Sequence, residues 1–107
     1  MNRTISAFAL LLPISLLARE TADVTVKTGS VQKNVVLVDA DVNGKSVQLE
    51  CFLSVAHCKI PKGGSYSLVR LPAGKGVYMD CPNVVLYEKS VPPRPETKIG
   101  EYCLLGE

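Results

Sequence analysis

Asn43-Gly44 sits between two alternating runs that match each other residue for residue, and this limits the fold more than any other feature of the chain. Asn-Gly is a preferred loop pair for a type I′ turn, because both loop positions need positive φ. With Val42 facing Lys45 across that turn, Ala40 opposes Val47, Val38 opposes Leu49 and Val36 opposes Cys51, all on one side. The other side carries Asp41 with Ser46, Asp39 with Gln48 and Leu37 with Glu50. A half-buried antiparallel pair requires this sorting, and a one-residue slip would destroy it. Phe52 opposite Val35 is the exception. It predicts that this end of the polar side is covered by another part of the chain.

The same residues carry a competing pattern. Asp39, Asp41, Asn43, Gly44 and Glu50 satisfy the spacing of an EF-hand calcium loop. Such a loop needs a helix before and after it. Val31, Val35, Val36, Leu37 and Val38 precede this one, and β-branched crowding disfavours helix there. Alternation also continues through the supposed loop at Val42, Val47 and Leu49, and Ser46 stands where calcium loops carry an aliphatic residue. A hairpin is the expected structure, with Asp39, Asp41 and Glu50 on a solvated face. Calcium binding by Asp39, Asp41, Asn43 and Glu50 is kept as a lesser alternative.

The N-terminal residues differ in character from the rest. Arg3 precedes an apolar run from Ile5 to Leu17, and the next charges are Arg19 and Glu20. The run falls short of the roughly 20 apolar residues that a spanning helix needs. Residues 1–18 therefore read as a cleaved signal peptide and residues 19–107 as one small domain. No cysteine follows the run until Cys51, which argues against a lipid anchor.

Chains this small bury only about 60–65% of their unfolded surface, so the core is a marginal stabiliser. Cys51, Cys58, Cys81 and Cys103 form an even set, which in an oxidising compartment predicts two disulfides. Of the possible pairings, Cys51–Cys58 with Cys81–Cys103 is favoured. The first closes a short loop, and the second ties the C-terminal strand to the body. Charge is balanced and interspersed, with 12 Lys plus Arg against 10 Asp plus Glu. No basic stripe points to nucleic acid, and no motif points to a cofactor.

Outside the hairpin, Val24 to Val26 reads as a short strand broken at Gly29-Ser30, followed by a run from Val31 to Val42. Ser54 to Gly64 is irregular. Ser65 to Leu71 reads as a strand that turns at Pro72–Gly76 and returns through Val77 to Asp80. Val84 to Glu88 and Ile99 to Leu105 are further strands, joined by a polyproline-like stretch from Val91 to Pro95. The expected fold is all-β: a small antiparallel β-sandwich or partly open barrel of about six to seven short strands, stabilised by disulfides. A dimer pairing edge to edge through Val31–Val42 is compatible with this pattern.

Chemistry-bearing residues are few. His57, the single histidine, adjoins Cys58, but the paired cysteines of a zinc site are missing, and an oxidised thiol is no nucleophile. Gly74-Lys75-Gly76 lacks phosphate-loop spacing. Ser54, His57 and Asp80 have no Gly-x-Ser-x-Gly elbow around them. The chain reads as non-enzymatic. Tyr66, Tyr78, Tyr87 and Tyr102 suit core or half-buried strand positions better than a binding stripe. The best contact surface is the Cys51–Cys58 loop with Phe52, Leu53, Ser54, Val55 and His57, because a short crosslinked loop loses less entropy on binding.

Glu50-Cys51, Cys58, Gly64-Ser65-Tyr66, Val69-Arg70-Leu71, Asp80-Cys81-Pro82-Asn83-Val84, Leu86-Tyr87 and Gly100-Glu101-Tyr102-Cys103 form a set spread over residues 49–105. Together they resemble small exported bacterial proteins of unknown function with a four-cysteine framework. The resemblance implies export and that framework, and supplies no catalytic or ligand residues. The functional expectation is an exported module, periplasmic or secreted, that binds an unknown protein or surface ligand or builds a surface assembly. A protease-inhibitor-like protein using the Cys51–Cys58 loop is the first alternative, and the calcium-binding protein the second.

Overall fold

The computed structural model describes residues 20–89 and 93–106, and within them the chain is all-β. Residues 1–18, expected as a signal peptide, lie outside the described residues, as do residues 90–92, which include the first two of the polyproline-like stretch. The strands are β1 (Glu20–Gln32), β2 (Val35–Val42), β3 (Lys45–Phe52), β4 (Gly64–Arg70), β5 (Asn83–Glu88) and β6 (Lys98–Leu105), with one 3-10 turn at Pro95–Thr97.

The β2–β3 hairpin has the expected register at every position, from Val42 opposite Lys45 to Val35 opposite Phe52. Asn43 and Gly44 hold φ of 53° and 79°, the positive values a type I′ turn requires. The preceding hairpin differs from expectation. β1 is not broken at Gly29-Ser30 but runs for 13 residues and turns at Lys33-Asn34, where Gln32 faces Val35. Lys33 takes φ of 59°, a conformation costly outside glycine and one its side chain does not announce. Gly29 serves packing instead, since a Cβ there would stand 2.8 Å from Ile60 Cγ2.

Strand order is β1-β2-β3-β6-β5-β4, and β4 pairs with β1, so the sheet closes in a ring. The order β4-β1-β2-β3 is a Greek key. The length of β1 makes closure possible, because Val24 to Val26 pair with β2 on one side and β4 on the other. A register shift between Val26 and Thr28 leaves Lys27 as a bulge, which bends the strand. β2 is paired along its length by β1 and β3, so it offers no edge for a strand-to-strand dimer.

Alternation decides the interior. Val24, Val26, Val36, Val38, Leu49, Cys51, Leu68, Val84, Leu86, Tyr102 and Leu104 all belong to one buried cluster inside the ring. On β4, β5 and β6 the outward residues Ser67, Val69, Val85 and Cys103 are buried as well. Covering both faces explains the unbroken apolar run Val84-Val85-Leu86. Cys81 fastens the β4–β5 connection to Cys103, and the turn at Pro95–Thr97 packs against β5. The expected Val77–Asp80 strand is part of that connection and does not form.

The weakest closure of the ring is β3 against β6. Only Gln48, Leu49 and Glu50 pair there, with Leu105, Leu104 and Cys103. Both disulfides stand at this seam, since Cys51 follows Glu50 and Cys103 faces it. The bonds are Cys51–Cys58 and Cys81–Cys103, the favoured pairing, with Cα separations of 5.5 and 5.7 Å. Beyond the seam the Glu101 N–H donates to the His57 carbonyl at 2.8 Å. The first crosslinked loop thus takes up the edge of β6 where β3 has ended.

Candidate functional site

Residues 53–63 are fastened across one end of the ring. The Leu53 N–H donates to the Asn34 carbonyl at 2.8 Å and the Val55 N–H to the Phe52 carbonyl at 2.9 Å. From inside the ring, Tyr102 donates its hydroxyl to the Lys59 carbonyl at 2.7 Å, and Tyr66 donates to the Lys62 carbonyl at 2.7 Å. Burial pushes the Tyr102 phenol well above the usual tyrosine pKa, with Tyr66 and Tyr78 adding to the shift. Gly100 leaves room for this arrangement: a Cβ there would lie 2.8 Å from both the His57 carbonyl oxygen and the Tyr102 hydroxyl. Within the segment Leu53, Ser54 and His57 are exposed, as is Phe52 just before it, while Val55 is half-buried and His57 takes φ of 66°.

Residues 71–82 are organised by one side chain. Asn83 is buried; its Oδ1 accepts from the Tyr78 N–H at 2.9 Å, and its Nδ2 donates to the carbonyls of Tyr78 and Cys81 at 2.7 and 3.3 Å. These bonds replace the strand pairing expected for Val77–Asp80. Gly76 has φ of 95°, and a side chain there would overlap Asn83. Tyr78 then reaches β3, where its ring meets Phe52 edge-on at 5.9 Å and its hydroxyl accepts from the Phe52 N–H at 3.3 Å. Tyr78 thus touches the end where the Phe52–Val35 pair predicted a cover, but Phe52 remains exposed, so the cover is partial. Asn83→Ala strips partners from two carbonyls and an N–H, so a loss of about 2–3 kcal/mol is expected, with faster exchange of the Tyr78 amide. Chemical denaturation combined with hydrogen exchange measures both. An unchanged Tyr78 exchange rate would show that the loop is held elsewhere.

The acidic residues of the calcium pattern do not surround a common point. Asp39 accepts from Thr28 Oγ1 at 3.3 Å and Gln48 Nε2 at 3.4 Å. Asp41 accepts from Ser46 Oγ at 3.2 Å and pairs with Lys27 Nζ at 3.3 Å. Asn43 lies in the turn and Glu50 at the β3–β6 seam. They are strung along a hairpin instead of wrapping a loop between helices, because Asn43-Gly44 closes the turn first. Among the described residues no three or more His, Cys, Asp or Glu gather as metal ligands would. All four cysteines are oxidised, which leaves no thiolate for nucleophilic or ligand chemistry. Ser54 and His57 are exposed on one loop and Asp80 on the other, with no hydrogen bond joining them among the described residues.

One feature has no trace in local sequence patterns. At the end of the ring away from residues 53–63, a cavity of about 560 Å³ opens between Ala22, Val42, Lys45, Val47, Leu68, Arg70 and Leu104. A second, of about 590 Å³, lies beneath residues 71–82 and shares Arg70 with the first. The residues around the first come from five strands and meet only because the ring closes. Among the described residues no helix is long and apolar enough to cross a membrane.

Compared with known protein families, curated proteins and solved structures, the chain matches none. Its function has to follow from geometry.

Proposed function

We propose that this protein is an exported, non-enzymatic binding module that meets a protein partner through its two crosslinked loops. One observation carries the reading. Six large hydrophobics are exposed among the described residues: Val31, Phe52, Leu53, Ile60, Val77 and Met79. Every one lies on residues 53–63 or 71–82, or near a strand end that adjoins them. Met79 is 93% exposed beside the anchored Tyr78, which holds an apolar side chain in water for no internal purpose. Exposed apolar groups gathered in one region mark interaction sites. Disulfides at Cys58 and Cys81 limit the entropy such loops lose on binding.

Two disulfides without a free cysteine fit an oxidising compartment, which supports export. An inhibitor-like role for the Cys51–Cys58 loop has less support. Residues 53–57 form successive turns, whereas strand-addition recognition takes an extended segment.

Photo-crosslinking separates contact from bystander surface. A photoreactive residue at Leu53 or Met79 is expected to capture a defined protein in the export compartment, and one at Gln48 on the solvated hairpin face is not. Equal capture at all three positions, or none at any, would overturn the proposal.

A further inference from the structure

We infer that the mouth of the ring at Lys45 is a binding site for a small amphipathic anion, with the apolar body inside and the anionic head at the Lys45 ammonium. This does not rest on the loop-mediated partner proposed above, because the cavity opens away from residues 53–63, and Lys45 and its apolar walls belong to neither loop, although Arg70 is shared with the pocket beneath residues 71–82. Val47, Leu68 and Leu104 are buried side chains that form its walls, with Val42 and Ala22 nearer the rim. A cavity of about 560 Å³ with such a lining falls in the range of small-molecule sites.

The head group follows from charge. No carboxylate is among the described lining residues, which include Lys45 and Arg70. Arg70 already has a partner, and Glu20 stands opposite it in the strand register. Lys45 is different. It follows the Asn43-Gly44 turn, faces Val42 across the hairpin, and makes no ion pair or side-chain hydrogen bond among the described residues. Its aliphatic stem can run along the apolar rim while the ammonium meets an anion at the opening. The β3–β6 seam begins only at Gln48, so no β6 strand pairs with Lys45 and its surroundings are open on that side.

Decanoate, 1-decanol and decyltrimethylammonium, each below its micelle-forming concentration, supply the probes. Binding is followed by methyl shifts in labelled protein. Decanoate is expected to saturate one site, with shifts confined to methyls of Ala22, Val42, Val47, Leu68 and Leu104. Its affinity should exceed that of 1-decanol by about fivefold, the worth of one exposed charge pair, and decyltrimethylammonium should bind least. Each methylene removed from the chain should weaken binding by up to about fourfold. Lys45→Gln is expected to bring decanoate down to the affinity of 1-decanol and leave 1-decanol unchanged. Ala22→Phe fills the mouth and should abolish binding without lowering the thermal midpoint. Non-saturating shifts, equal affinity for decanoate and 1-decanol, or shifts concentrated on Leu53, Ile60 and Met79 would each overturn the assignment.

Discussion

Replacing all four cysteines by alanine is expected to leave the domain largely unfolded in dilute buffer. The Cys51–Cys58 and Cys81–Cys103 bonds span 7 and 22 residues of sequence. Chain-entropy accounting gives about 2.5 and about 3.4 kcal/mol for loops of that size, a sum comparable to the roughly 5–10 kcal/mol that holds a small domain folded. Location adds to the entropic effect. Both bonds flank the seam where β3 and β6 share three residue pairs, and the first also sets the His57 carbonyl against the Glu101 amide. Removing Cys51–Cys58 alone should therefore speed exchange at Glu101 more than at core positions of the β2–β3 hairpin such as Leu49, which faces Val38. Circular dichroism against urea reads the global loss and hydrogen exchange reads the local one. A four-alanine variant with a cooperative transition near the parent midpoint would show that the seam closes without its crosslinks.

Tyr102→Ala is expected to cost about 3–5 kcal/mol, the range for emptying a buried aromatic position. Its side chain is fully buried in the ring, and its hydroxyl is the internal anchor of residues 53–63 through Lys59. Tyr102→Phe keeps the packing and loses one hydrogen bond, so about 1 kcal/mol is expected at neutral pH. The two variants part company in alkali. Burial holds the folded phenol protonated to higher pH than the unfolded one. The unfolded chain therefore releases this proton first, and its free energy falls relative to the native state. Stability is unaffected below about pH 10, then declines by up to about 1.4 kcal/mol per pH unit above it. Tyr102→Phe should remove that part of the alkaline decline. Urea midpoints measured from pH 8 to 11 test this, and parallel slopes for wild type and Tyr102→Phe would contradict it.

The parts of the fold that were legible in the sequence are those decided between neighbours along the chain. Asn43-Gly44 set a turn, and the turn set eight residue pairs without reference to anything distant. The cysteine pairing followed from the same logic of short loop and terminal strand. The turn at Lys33-Asn34 was not legible, because Lys33 adopts a positive φ that its side chain does not favour, between strands that also pair with β4 and β3. Val77–Asp80 looked like a strand by composition. Its backbone groups were taken instead by the Asn83 side chain, and its Tyr78 by Phe52 on a distant strand.

The Cys51–Cys58 segment was visible as a crosslinked apolar loop, but the exposed apolar residues of the β4–β5 connection were not. Val77 and Met79 flank Tyr78, which reaches Phe52 only because Asn83 and the bond to Cys103 fix the β4–β5 connection. The mouth at Lys45 was further out of reach, since its walls come from strands scattered from Ala22 to Leu104. By itself the sequence determined an all-β, doubly crosslinked chain with one hairpin in a defined register, because alternation and turn chemistry act over a few residues. Tertiary structure alone decided that the sheet closes, which end is plugged and which is open. Closure depends on long-range pairing of β1 with β4 and β3 with β6, and no local periodicity encodes which strands will meet.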